Sequence, residues 1–254
     1  MLFDPARSFR ICTGRAALVV LALCGAALLP DQVPVGDFSS CRPEQEIPPA
    51  WERLQFRKID NRTQYDLVRL DSSVVVKATS DGGASGLVRR QRIDPAAFPV
   101  LEWRWRAERV VEGANARTKE GDDYAARIYV TFDHDLGLGG RIKRTALRAL
   151  GYDDIPSRAL NYVWTTRVDT GAVFPSPYTD WVMMLPLESG CARCGTWVTE
   201  RRNIVADYRR AFGEDPPAIT GVAIMTDTDN TGGTATTYYG DIVFRQADTA
   251  LAEE

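Results

Sequence analysis

The sequence contains one histidine, His134, among its 254 residues. Catalytic triads built on histidine, and zinc sites rich in histidine, need imidazole as a base or as a metal ligand, so this scarcity excludes most of them. Basic charge is not in excess either, because 31 lysines and arginines stand against 34 acidic residues. Nucleic-acid-binding domains usually carry a basic surface, so we expect no nucleic-acid partner. Carboxylate chemistry, metal binding through oxygen ligands and non-catalytic binding remain.

Long apolar runs are also missing, since none reaches the roughly 20 residues that a membrane-spanning helix requires. The longest run, at residues 16–29, follows three arginines and contains small residues at 25–27. This order is typical of a secretory signal peptide. We predict that residues 1–27 are cleaved on export to the periplasm or the exterior, with no permanent transmembrane helix. An uncleaved anchor is disfavoured by the short run, and lipidation by the leucine that precedes Cys24.

Cysteine is sparse, and the exported chain would keep three: Cys41, Cys191 and Cys194. The spacing of Cys191 and Cys194 fits a redox motif, half a zinc site or a small local disulfide. Zinc would need two more ligands, for which only Cys41 and His134 are left, and a redox motif usually opens a helix. We predict a disulfide or an inert pair in a turn between strands, with Cys41 unpaired.

Short segments rich in valine, isoleucine, tyrosine, tryptophan and threonine recur between glycine, aspartate, asparagine and proline residues. Such segments predict β-strands. The predicted strands are residues 65–70, 74–79, 86–90, 100–106, 125–133, 161–166, 181–187, 219–226 and 238–245. Because helices do not alternate with them, the pattern predicts a mainly β fold, an antiparallel β-sandwich or jelly roll.

Two short peripheral helices are predicted at residues 141–150 and 201–212, where apolar residues recur at helical spacing and a glycine follows. Their arginines are expected on solvated faces. Five prolines lie within residues 28–50. Because proline disfavours helices and central strands, this segment is predicted to be a linker. A single sandwich domain is expected at 51–246, followed by a tail at 247–254.

Two predicted strands alternate between apolar and charged or aromatic residues. In the first, Trp103 and Trp105 alternate with charged residues, and period-two alternation places the tryptophans in the core. If the two strands are neighbours, their other faces form one surface able to hold hydroxyls or carboxylates. The candidate residues on that surface are Glu102, Arg104, Arg106, Arg127 and Tyr129. The alternatives are a solvated face of salt bridges, or a reversed sheet in which the tryptophans stack on sugars.

Acidic residues cluster in two loops. Asp122 and Asp123 precede a predicted strand, and Asp227, Asp229 and Asn230 follow another, with a glycine at 232. Alternate oxygen ligands before a glycine suggest a calcium loop, although strands flank it and an EF-hand is excluded. The alternatives are a turn held by its own aspartate and asparagine side chains, or direct ligand contact. If the loops meet at one end of the sandwich, four carboxylates converge.

Several sequence blocks closely resemble the bacterial "domain of unknown function 3047" family. The blocks are SDGGASGL (80–87), PVLEWRWR (99–106), GDDYAARIYVTF (121–132), NYVW (161–164), WVTERRN (197–203), DYRRAFG (207–213), GVAIMTDTDNTG (221–232) and YGDI (239–242). The resemblance spans about residues 51–245 and implies an exported bacterial protein with one domain. It implies no reaction. Residues 139–157 and the Cys191–Cys194 pair lie outside the blocks.

Three functions follow from these observations. The leading hypothesis is a non-catalytic, exported module that binds a glycan or another polyhydroxylated ligand, with calcium as a structural ion or no cofactor. The second is a glycan hydrolase or lyase that uses carboxylates, because paired carboxylates perform acid–base catalysis without histidine. Its candidate residues are Glu102, Asp122, Asp123, Asp227 and Asp229. The third is an envelope domain that binds another protein.

Overall fold

The computed structural model describes residues 31–43, 45–135, 137–141, 145 and 156–247. These residues form two β-sheets. The strands are β1 (Gln32–Gly36), β2 (Glu52–Leu54), β3 (Gln64–Leu70), β4 (Ser73–Asp81), β5 (Ala84–Ile93), β6 (Val100–Ala107), β7 (Tyr124–Phe132), β8 (Arg158–Thr165), β9 (Phe174–Ser176), β10 (Thr179–Ser189), β11 (Val198–Asn203), β12 (Ile219–Asp227) and β13 (Thr234–Arg245). All nine predicted strands are present.

The strands pack as a sandwich of one six-stranded and one seven-stranded sheet. In the first sheet the order is β11-β6-β13-β4-β3, and β1 also pairs with β13. In the second sheet the order is β2-β5-β12-β7-β8-β10-β9. The pairing is antiparallel except between β8 and β10, which run parallel. The predicted mainly antiparallel β-sandwich is therefore confirmed.

The segment expected to be a proline-rich linker contributes instead to the folded domain. Strand β1 pairs with β13, and Pro34 lies opposite Val243. Proline is tolerated there because β1 has one partner strand, which leaves its other edge without a ladder to complete. Phe38 is fully buried, and its ring centroid lies 5.4 Å from that of Trp51. The compact unit accordingly begins at Asp31.

The core between the sheets is rich in aromatic rings. Trp103 and Trp105 of β6 are 1% and 0% exposed, which confirms that the tryptophans face the core. From the other sheet, Tyr162 and Trp164 of β8 meet them at centroid distances of 5.3 Å and 6.1 Å. These contacts fix the central strands of the two sheets against each other.

One helix, α1 (Ile204–Phe212), packs against the sandwich. It begins three residues later than predicted because 201–203 continue strand β11. The Asn203 side chain accepts a hydrogen bond from the amide of Ala206 at 3.0 Å, and Gly213 ends the helix with φ of 76°. Such caps satisfy backbone groups that the helix itself leaves unpaired. Tyr208 of α1 contacts Phe132 of β7 at 4.6 Å between centroids.

The other predicted helix, at 141–150, lies mostly outside the described residues, although 137–141 are helical. Among the described helices, none has both the length and the apolar character needed to cross a membrane. The sulfur atoms of Cys191 and Cys194 form a disulfide in the turn between β10 and β11. Cys41 is a half-buried free thiol.

A partly buried carboxylate, Glu200, lies at the edge of the sandwich. It sits opposite Trp103 in the register of β11 and β6, and the indole nitrogen of Trp105 donates to it at 3.3 Å. Burial raises the pKa of Glu200 to about 7, and the nearby charge of Glu188 adds to the effect. Glu188 itself accepts from Arg193 of the disulfide turn at 2.6 Å.

We expect Trp103→Ala to lower the free energy of unfolding by about 3–5 kcal/mol, because it removes a large side chain from a packed core. Urea denaturation measures this change. Trp197 provides the control, because its half-buried ring covers Arg104 outside the core at 4.7 Å. Its replacement by alanine should cost about 1 kcal/mol. Equal losses in the two variants would contradict the assignment of Trp103 to the core.

We also expect the free energy of unfolding to fall as the pH rises from about 4.5 to about 7. The folded state holds the Glu200 proton more tightly than the unfolded state does, so stability is lost as that proton leaves. The fall should be about 1 kcal/mol, reduced by solvent screening of this partly exposed group. Glu200→Gln should flatten the profile measured by thermal unfolding, whereas Glu46→Gln, at an exposed pair with Arg53, should not.

Candidate functional site

A groove of about 470 Å³ lies on the outer face of the seven-stranded sheet. The side chains of a strand point alternately into the core and outward, and the outward ones form the floor of the groove. In β7, Ile128 and Val130 enter the core, while Tyr129 between them points outward. The register places Ala223 of β12 opposite both Val88 of β5 and Tyr129 of β7. The floor is therefore a row of small, apolar and aromatic side chains from three adjacent strands.

The groove is acidic at the end where β7 begins and β12 ends. Asp122, Asp227, Asp229 and Asn230 line it there, together with Tyr178 from the β9–β10 turn. The pairing of Asp227 with Tyr124 brings the two acidic loops together. The two acidic loops therefore meet at one end of the sandwich, as the predicted shared site requires.

The predicted joint surface of β6 and β7 is not formed. Strand β6 belongs to the six-stranded sheet and β7 to the seven-stranded sheet, so their outer faces lie on opposite sides of the sandwich. Arg127 and Tyr129 line the groove, whereas the candidate residues of β6 do not. The reason is that both strands show the same alternation, which fixes the buried face of each strand but not its neighbours.

The three β6 candidates lie on a solvated face of charge pairs. Arg245 donates to Glu102 at 3.3 Å, and Arg106 pairs with Glu108 at 2.7 Å. The guanidinium of Arg104 stacks over Trp197. The salt-bridge alternative raised from the sequence describes this face.

Asp123 holds the second acidic loop in place. Its two carboxylate oxygens accept hydrogen bonds from the backbone and side chain of Asn230, each at 3.2 Å, and from those of Thr231 at 2.7 and 2.6 Å. A carboxylate has about four acceptor positions, so this group is filled by protein donors. The turn after β12 is thus shaped by a residue more than a hundred positions earlier.

Arg127 joins the two acidic loops through hydrogen bonds to both. Its Nε donates to Asp227 at 2.7 Å, and one terminal nitrogen donates to Asp122 at 3.4 Å and to the Tyr129 hydroxyl at 3.0 Å. The other terminal nitrogen donates to the backbone carbonyl of Asp122 and to Asp227. All five guanidinium donors are therefore used. Arg127 is 3% exposed, with its guanidinium 4.1 Å from the Tyr124 ring centroid.

The cluster holds more negative than positive charge. Burial would lower the pKa of Arg127, but the carboxylates of Asp227 and Asp122 raise it, so Arg127 remains a cation. It contacts the carboxylates of Asp122 and Asp227, and those of Asp123 and Asp229 lie close to Asp227. Burial raises the pKa of Asp122, Asp227 and Asp229, with Arg127 acting in the opposite direction. The site therefore favours a further positive charge or a proton.

A cation would meet three carboxylates here. Oxygens of Asp123, Asp227 and Asp229 lie within 4.8 Å of one another. Asn230, a predicted ligand, uses its amide oxygen to accept from the Tyr178 hydroxyl at 3.2 Å. Sequence reasoning missed Tyr178, because neither β9 nor the turn that follows carries an alternating pattern. It also missed the role of Asp123 as the hub of the loop.

The two packed sheets define a β-sandwich domain. The chain belongs to the family described as "Protein of unknown function (DUF3047)", which matches residues 49–243. This agrees with the resemblance drawn from the sequence blocks. No curated protein matches the chain.

The chain is similar to several solved structures at low identity. The Emp47p carbohydrate recognition domain has a TM-score of 0.43 and 12% identity, covering 86% of this chain and 98% of that one. The K1 adhesin domain of Lys-gingipain from Porphyromonas gingivalis W83 has a TM-score of 0.38 and 13% identity, with coverages of 85% and 99%. The Endo-D glycoside hydrolase domain of Streptococcus pneumoniae R6 has a TM-score of 0.34 and 8% identity. That match covers 78% of this chain, which spans 22% of the Endo-D chain.

We expect Arg127→Met to lower the free energy of unfolding by about 3–5 kcal/mol, because it leaves buried carboxylates without their counter-charge. The loss should be larger at pH 8 than at pH 5. Without Arg127 the pKa of Asp227 rises further, so the folded state binds a proton that is lost as the pH increases. Urea denaturation at the two pH values measures both effects.

Arg92→Met is the matched control for this prediction. Arg92 pairs with Asp133 at 2.9 Å, but both side chains are exposed. Exposed pairs contribute about 0–1 kcal/mol. A loss in the Arg127 variant no greater than in this control would show that the buried network does not support the fold.

Proposed function

We propose that this protein is an exported module that binds a glycan or a related polyhydroxylated ligand in the groove, without turnover. The observation that carries the proposal is the amphipathic lining of the groove. Val88, Ala223 and Met225 give an apolar floor, while Asp229 and Tyr178 offer polar groups at the rim. Sugar rings combine apolar faces with polar edges, and binding sites of this kind pair an apolar surface with a few placed polar groups.

The positions of the carboxylates favour binding over catalysis. Glu102 lies on the opposite face of the sandwich, and Asp123 and Asp227 are held by protein donors. Glycoside hydrolysis requires two carboxyl groups that can reach the scissile bond. Asp122 and Asp229 line the groove with raised pKa values, and this supports a hydrolase or lyase as the second candidate.

We propose calcium as the ion that would stabilise the two acidic loops. Asp123, Asp227 and Asp229 are the residues that would hold it. Asp123 already accepts four hydrogen bonds, so it would have to exchange donors for the ion or leave the coordination to the other oxygens. Calcium takes six to eight oxygen ligands, so water or ligand hydroxyls would have to complete the shell. Binding is therefore to be measured both with calcium and with a chelator.

Export is proposed from the predicted signal peptide, with the periplasm or the exterior as the destination. The disulfide between Cys191 and Cys194 supports this, because disulfides persist mainly in oxidising compartments. A cell-envelope glycan would be encountered there. An envelope domain that binds another protein is the third candidate, and it becomes the preferred one if no glycan binds.

We expect saturable binding of at least one glycan in a panel titrated by calorimetry, with no product detected by chromatography. Ala223→Phe should weaken that binding at least tenfold, because a ring on the floor fills the groove. Thr199→Phe, on the exposed outer face of β11, is the matched control and should bind normally. Thermal unfolding of both variants confirms that they fold.

Three other outcomes of these experiments would contradict part or all of the proposal. Products in the chromatogram would favour the hydrolase or lyase. An absence of binding to every glycan, with and without calcium, would overturn the proposal. Equal loss of binding in both phenylalanine variants would remove the groove as the site.

A further inference from the structure

The acidic end of the groove offers hydrogen-bond acceptors and few donors. Arg127 has no donor left for a ligand, because all five are used within the protein. The Asn230 amide donates to Asp123 at 3.2 Å. Asp122, Asp227 and Asp229 contribute only oxygens while they are ionised. A ligand that enters this end would therefore bind mainly through its own donors.

One of these acceptors is buried without a donor. Asp122 lines the groove and is 6% exposed, and its Oδ1 has no hydrogen-bond partner among the described residues. The nearby Tyr124 hydroxyl is also buried, and although it lies close enough to oppose the rise that burial causes in the pKa of Asp122, it donates no hydrogen bond of acceptable geometry to Oδ1. A buried polar atom left unsatisfied costs about 1–3 kcal/mol. A ligand donor at Asp122 would recover that loss.

The charge of the cluster specifies the kind of donor. Four carboxyl groups lie around one guanidinium, and burial raises the pKa of three of them. A neutral hydroxyl would satisfy an acceptor but would leave the cluster holding either a proton or excess negative charge. An ammonium supplies three donors and a compact positive charge. Calcium would have to displace the four hydrogen bonds that Asp123 accepts, or complete its shell from other oxygens. An ammonium needs neither change.

We infer that the ligand carries a protonated amine, as in a glycan of unacetylated amino sugars, and that this amine binds between Asp122 and Asp229 at the acidic end of the groove. The inference rests on the proposed function, because the sugar rings would occupy the apolar floor beside Ala223 and Val88. The floor and the acidic end are parts of one continuous groove. The ligand class is thus a cationic, polyhydroxylated chain.

Three tetrasaccharides with the same β-1,4-linked backbone test the inference. The glucosamine tetramer carries ammonium groups at pH 6, the N-acetylglucosamine tetramer carries neutral amides, and cellotetraose carries hydroxyls. We expect the glucosamine tetramer to bind at least tenfold more tightly than the other two in calorimetric titrations at fixed ionic strength.

The outcomes separate the inference from the function on which it rests. Binding of cellotetraose or the acetylated tetramer as tightly as the glucosamine tetramer would overturn the inference and leave glycan binding intact. Binding of none of the three, nor of any other glycan in the panel, would overturn both. Amine binding that requires added calcium would also overturn the inference, because the two cations would compete for the same carboxylates.

Two variants locate the amine. Asp229→Asn and Asp122→Asn each remove one charge with little change of shape, and the affinity ratio of the glucosamine tetramer to cellotetraose should fall towards one. Asp66→Asn, on β3 of the other sheet, is the matched control and should keep the ratio. Asp229 is only partly buried, so its variant is expected to fold even if that of Asp122 does not. An unchanged ratio in a folded Asp229 variant would overturn the assignment.

Discussion

The buried contact between Arg127 and the carboxylates of Asp122 and Asp227 is the interaction on which the acidic end of the groove depends. It joins the start of β7 to the end of β12 and holds both acidic loops at one end of the sheet. Because charges removed from water are costly, the cluster is stable only while each carboxylate has donors or a counter-charge. The guanidinium meets part of that need, and a proton or the proposed ligand would meet the rest.

The remainder of the fold gives this contact a rigid support. The aromatic core of Trp103, Trp105, Tyr162 and Trp164 locks the central strands of the two sheets together. Side chains of β7 and β12 on the opposite side of the same sheet then have fixed positions. Successive side chains of a strand point to opposite faces of the sheet. Each residue on the groove floor is therefore held in place by a sequence neighbour that packs in the core.

Much of the fold was predictable because the alternation of apolar and polar residues can be read within a single strand. The pattern in residues 100–106 identifies the buried side of β6 without reference to any other strand. Strand order is not local, and the charged faces of β6 and β7 were wrongly combined for that reason. Strand β1 was missed because Pro34 suggests a linker until its single-partner position is known. In the site, the acidic residues were visible in the sequence, whereas the commitment of Arg127 and Asp123 to protein partners depends on tertiary contacts.

The hydrogen bonds that shape the site span long stretches of chain. Arg127 and Asp227 are 100 residues apart, and Asp123 and Thr231 are 108 apart. Bringing together residues so far apart closes a long loop at a cost in conformational entropy, and the rest of the sheet has to offset that cost. No short peptide from either loop carries both halves of the site. The proposed binding surface is therefore a property of the completed sheet, and it should be gained or lost together with the whole domain.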